Sequence, residues 1–160
     1  MSYDYLQRTN PDLYGQRTQI TTDVVRFFTR AALGWFLFHQ GWGKLMLDWN
    51  EGLGAFYRSE AFQGRSPDWL PAALGAPYGY VLPSAEVLLG ALLIVGLLTR
   101  TAAALSAIVF ISIAVALWAG GTFFPRHMLM VFIPLALYFM LIGPGRFSVD
   151  AAFAARNREI

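Results

Sequence analysis

Four long apolar stretches dominate this chain: Phe27–Leu47, Tyr78–Leu98, Thr101–Ala119 and Pro125–Ile142. Each is close to the ~20 residues a helix needs to cross ~30 Å of hydrocarbon. Together they take up half of 160 residues, which leaves too little chain to cover four such helices in water. Composition agrees: 14% of residues are charged, against about 25% in an average soluble domain. Strands with open edges are excluded, because lipid offers no partner for their backbone. The expectation is an all-α fold: an integral membrane antiparallel four-helix bundle.

Charge placement orients it. Arg8, Arg17 and Arg26 precede the first stretch, Arg100 lies between the second and third, and Arg146, Arg156 and Arg158 follow the fourth. The opposite side carries Arg58, Arg65 and Arg126. The excess predicts both termini in the cytoplasm. Residues 1–25 read as a polar cytoplasmic extension, 26–150 as the transmembrane domain and 151–160 as a cytoplasmic tail. The polar start does not resemble a signal peptide. Short links at Leu98–Thr101 and across Gly120-Gly121 to Pro125 make sequential helices antiparallel. Only residues 48–77 form a long connection, on the outer side. Its Trp49, Phe56, Tyr57, Phe62 and Trp69 suit either an anchor at headgroup level or a lid over the bundle.

The charges inside the membrane stretches carry the chemistry. At 100° per residue, Arg30, Gly34, Leu37, Gly41 and Lys44 share one face, which Asp23, Arg26 and Asp48 extend. Glu86, Gly90, Leu93, Leu97 and Arg100 share a face of the second helix. Glycines permit close approach and charges avoid lipid, so both faces should meet protein. Glu86 lies about 12 Å and Lys44 about 4–5 Å below the same edge, by helical rise. A snorkelling lysine spans that gap. A Glu86–Lys44 pair is therefore expected, either as packing glue or as a proton or polar-ligand site. Arg30, near the other edge, is the poorer partner, and Trp42 joins the candidate polar site. Near the cytoplasmic face, Arg146 is expected to pair with Asp150, or Asp150 with Arg100, as a clamp on helix ends.

Other chemistry is not encoded. There are no cysteines, hence no disulfide, thiolate metal site or iron–sulfur cluster on this chain. His39 and His127 differ by about 12 Å in depth and do not suit one haem. Two histidines without a carboxylate cluster do not make a zinc site. No phosphate loop, nucleophile elbow or nucleic-acid-binding pattern is present. No metal and no cofactor held by this chain itself are expected.

Three segments carry a family resemblance. They are the first helix with Arg30, Gly34, Gly41 and Lys44, the run from Glu86 through Gly90 to Arg100, and the ending Gly143-Pro-Gly-Arg-Phe-Ser-Val-Asp150. Over Arg26–Asp150 the chain resembles the DoxX family. The resemblance implies a four-helix protein of the prokaryotic cell membrane, related to DoxD, the membrane subunit of thiosulfate:quinone oxidoreductase. Three functions are then to be told apart, of which the quinone-linked one rests chiefly on this resemblance. One is an accessory subunit completing a larger respiratory or other electron-transfer complex. Another is a quinone-reacting subunit with Glu86, Lys44 and Trp42 near the headgroup and the electron carriers on a partner. The third is a small transporter coupled to protons through Glu86.

Overall fold

The computed structural model describes residues 11–67, 69–119 and 124–157. Among them every regular element is a helix. Helix α1 runs Pro11–Glu51, α2 Ala55–Arg58, α3 Glu60–Gln63, α4 Ala72–Val95, α5 Thr99–Ala119, α6 Phe124–Ile142 and α7 Val149–Arg156. Residues 1–10 of the expected N-terminal extension and the Gly120-Gly121 link lie outside the described residues.

Helix α1 is longer than its apolar stretch. Its 41 residues correspond to ~61 Å at 1.5 Å per residue. The polar segment ahead of Phe27 continues the helix, and the hydroxyls of Thr21, Thr22 and Thr29 donate to carbonyls one turn back. The helix stops where Gly52 takes φ +93°, a left-handed conformation that ends helices readily. Helix α4 also starts earlier than Tyr78, at Ala72. Pro77 therefore lies inside a helix, as does Pro83. A proline there removes one backbone hydrogen bond but leaves the rest of an alanine- and leucine-rich run intact.

Packing follows the two charged, glycine-bearing faces. Arg30, Gly34, Leu37 and Gly41 are buried, and so are Glu86, Gly90 and Leu93. A Cβ on Gly34 would sit 2.7 Å from the Gly90 carbonyl, and one on Gly41 2.6 Å from Glu86 Cβ. As α1 climbs from residue 34 to 41, α4 descends from 90 to 86, so the two run antiparallel. Glycine is required at Gly34, Gly41 and Gly90 because any side chain there would push the backbones apart.

The main core lies between α1, α4, α5 and α6. Leu37, Leu93, Ala103, Phe110, Ala136 and Phe139 are almost wholly buried in it. Phe36 stacks on Phe132 at 4.1 Å. Outside this core, large apolar side chains such as Phe28, Trp35, Leu88, Ile108, Trp118 and Leu141 are exposed. Ala73–Val95 and Thr99–Trp118 are each long and apolar enough to cross a membrane, and Leu129–Ile142 is a shorter apolar helix.

Candidate functional site

The expected ion pair forms. Lys44 Nζ donates to Glu86 Oε1 and Oε2 at 2.5 and 2.6 Å. Glu86 is fully buried, while the Lys44 side chain keeps 20% of its exposure. Burial of the carboxylate follows from Gly41, whose bare backbone lets α4 approach at the level of Pro83 and Glu86. An ammonium has three protons to donate. Two point to Glu86, and Nζ lies over the Phe56 ring, 5.3 Å from its centroid.

The pair forms part of the wall of a cavity of about 870 Å³. Phe36, Phe110, Leu82 and Leu117 supply apolar wall, and Gln40, Tyr78 and Ser112 add polar groups. The Tyr78 and Ser112 hydroxyls are hydrogen-bonded at 2.6 Å, linking α4 to α5. This mixture, mostly apolar with a few convergent polar groups, is that of a small-molecule site.

The long connection closes one side of the cavity. Phe56, Phe62, Trp69 and Leu70 all line it. Asp48 Oδ1 accepts the Phe56 N–H at 2.7 Å and fixes α2 against the end of α1. Tyr57 stacks on Tyr80 at 5.6 Å, and Phe62 packs beside both Phe56 and Tyr57. Sequence reasoning placed these aromatics at the headgroup level or over the bundle; contact with the cavity is what the fold adds. Tyr78, Ser112 and Gln40 were not singled out in the sequence. A hydroxyl or an amide within an apolar helix was the only signal available for them.

Other sequence candidates go elsewhere. Trp42 is exposed and stacks on Phe38; it faces away from the cavity because it lies two positions from Lys44, about 200° around the helix. Arg30, wholly buried, donates to the carbonyls of Pro144 and Phe147 at 2.5 and 2.7 Å. It ties α1 to the turn after α6 and takes no part in the Lys44–Glu86 pair. His39 is exposed and stacks on Trp35, while the His127 side chain lies outside those described.

The clamp residues act, but not through the expected pairs. Asp150 accepts the N–H groups of Leu98 and Thr99, both at 2.8 Å, and so caps the start of α5. Its own N–H donates to the Gly96 carbonyl. Arg146 lies 3.9 Å from Asp23 on α1. Arg100 packs against Gly143. A carboxylate that can satisfy two helix-start N–H groups at once has a fixed geometric target, which a mobile surface arginine does not offer.

The DoxX family model matches residues 25–120. The chain belongs to the DoxX family. The match takes in both sides of the ion pair, the connection that closes the cavity and the Tyr78–Ser112 contact; the tail that caps α5 lies beyond it. No curated protein and no solved structure matches the chain. DoxX membership and the two apolar helices make this a membrane protein.

Proposed function

We propose that this DoxX protein is the quinone-facing membrane subunit of a larger electron-transfer complex in a prokaryotic cell membrane. The observation that carries this reading is the cavity of about 870 Å³ with the Lys44–Glu86 pair in its wall. A subunit that only held its neighbours together would need the ion pair as glue but not the cavity. A quinone suits the walls: its tail and ring lie against aromatic and aliphatic side chains, and its carbonyl oxygens accept hydrogen bonds. The remaining donor of Lys44 and the Gln40 amide are there to give them, since the Tyr78 and Ser112 protons already go to Ser112 Oγ and the Val109 carbonyl. Reduction of a quinone to its quinol takes two electrons and two protons. With no cysteine in the sequence, the electrons come from a flavin, haem or iron–sulfur carrier on a partner subunit.

In this reading the chain crosses the bilayer four times, as an antiparallel bundle of α1, α4, α5 and α6. Both termini lie in the cytoplasm and the 48–77 connection lies outside, as the arginine distribution favours.

Native mass spectrometry of the protein extracted gently from its own membrane tests the subunit role. A stoichiometric partner carrying a redox centre is the expected result; the protein alone, or a homo-oligomer, overturns it. Quinone-reductase activity of that complex tests the site. Glu86→Gln should abolish activity while the complex still assembles. Full activity in Glu86→Gln would leave only the accessory, structural role.

A further inference from the structure

We infer that Phe56 holds the headgroup station at Lys44 in the absence of ligand, and that the 52–66 segment, which walls one side of the cavity, is a gate which a ligand displaces to take the remaining donor of Lys44. The inference rests on the cavity being a ligand site, as proposed above, and concerns how that site opens.

The argument starts at Lys44. Two of its three donors are committed to Glu86, and the Phe56 ring lies against the ammonium at 5.3 Å. A carbonyl oxygen seeking the third donor competes with that ring for the same cation. Phe56 does not move alone. Its backbone N–H is bound to Asp48, one helical turn beyond Lys44, so α1 grips both the ring and the backbone of this residue. Phe56 also packs edge-on against Phe62, and both line the cavity. A ligand that moves the ring therefore loosens α2 and α3 together. The segment has a place to pivot: Gly52 and Gly54, with φ of +93° and +80°, flank Leu53 between α1 and α2. Backbone at such glycines changes conformation at little steric cost. The Tyr57–Tyr80 stack and the contact of Tyr57 with Gly79 are what must part as the segment lifts off α4.

The absence of native cysteines permits a direct lock. A Cβ on Gly79 would lie 3.1 Å from Tyr57 Cβ, a few tenths of an ångström short of the ~3.5–4.5 Å of a disulfide. The double variant Tyr57→Cys/Gly79→Cys, full-length in lipid nanodiscs, should form a reversible bridge between segment and helix. Uptake and release of tritiated decyl-benzoquinone would be timed with the bridge oxidised and reduced. Oxidation should slow both rates at least about ten-fold, and reductant should restore them. Independently, Phe56→Leu keeps the apolar contact but removes the competing ring face. It should bind the same probe at least about two- to five-fold more tightly, the least that a cation–π contact with a buried ring is worth. Unchanged rates in the oxidised lock overturn the gate, since the probe then reaches Lys44 by another route. Weaker binding by Phe56→Leu also overturns it, since the ring is then only wall. No uptake by the unaltered protein, or equal uptake by Lys44→Met, instead defeats the ligand-site reading, and the gate with it.

Discussion

Taking one charge out of water costs several kcal/mol, and taking out two is tolerable only when each satisfies the other. Lys44 and Glu86 meet that condition, with the carboxylate fully buried and both of its oxygens bonded to Nζ. Removing one partner should therefore cost more than removing both. Lys44→Met is expected to destabilise the protein by about 3–5 kcal/mol, and Lys44→Met/Glu86→Leu to recover most of that loss. Thermal unfolding in detergent reads the difference; equal melting temperatures for the single and double variants would show that the pair carries no coupling. Arg30 poses the same problem with a different answer. Its guanidinium is buried and makes two bonds to carbonyls, so those carbonyls depend on it. Arg30→Met loses both charge-assisted bonds, at up to about 1.5–3 kcal/mol each, the upper end being out of reach because the acceptors are only part-buried. Arg30→Lys should fall between, because an ammonium lacks the planar fork that reaches Pro144 and Phe147 together. The same unfolding measurement ranks the three proteins, and an Arg30→Met protein as stable as the parent would contradict this account.

Between elements, the close approach of α1 and α4 is set by glycine rather than by charge. Gly41→Ala would place a Cβ against Glu86 Cβ and the backbone of α4, and should displace the carboxylate from Lys44. Gly43→Ala meets nothing within 4 Å and serves as the control. Quinone binding should fall at least about ten-fold in the first variant, and the melting temperature of the second should match the parent's, since its Cβ enters the cavity without touching protein. The α4–α5 turn depends on a different device. Leu98 has φ +49°, a left-handed conformation costing roughly 1–2 kcal/mol for a residue with a side chain. Asp150 holds it there by accepting the N–H groups of Leu98 and Thr99. Asp150→Ala should cost about 0.5–2 kcal/mol, as lost caps do, and Leu98→Gly should recover part of it, because glycine adopts that conformation without the penalty. A melting temperature that does not rise in the double variant would remove Leu98 from the explanation. These two devices show what the sequence disclosed and what it withheld. Helical periodicity placed Arg30, Gly34, Gly41 and Lys44 on one face and Glu86 and Gly90 on another, and helical rise left a gap in depth between Lys44 and Glu86 that a lysine side chain spans. Asp150 was legible as a clamp but not in its partner, because backbone N–H groups at a turn leave no mark in residue identity. Tyr78, Ser112 and Phe56 share a cavity only because the chain returns over itself between α1 and α4, a contact that no local spacing encodes.

At the scale of the whole molecule, α1 sets a constraint of its own. About 61 Å of helix is twice the thickness of a hydrocarbon core, so no placement with α1 near the membrane normal buries all of it. The apolar portion begins at Phe27, so in the four-span reading the polar part before it, with Arg17 and Asp23, projects from the bilayer. It projects on the side where Asp23 meets Arg146 and where Arg30 holds the turn after α6. If α1 crosses, as proposed above, its first turns and helix α7 share one face of the membrane, and the 52–66 segment, at the far end of α1, lies on the other. The four-span reading makes this a sharp prediction. Single cysteines introduced at the exposed positions Gln19, Ala155 and Glu60 should divide in their reaction with a membrane-impermeant maleimide on intact cells. Gln19→Cys and Ala155→Cys should react only after the membrane is opened, and Glu60→Cys should react before. Labelling of all three from one side would mean that α1 does not cross, and the cavity would then open to water rather than to the lipid that delivers a quinone.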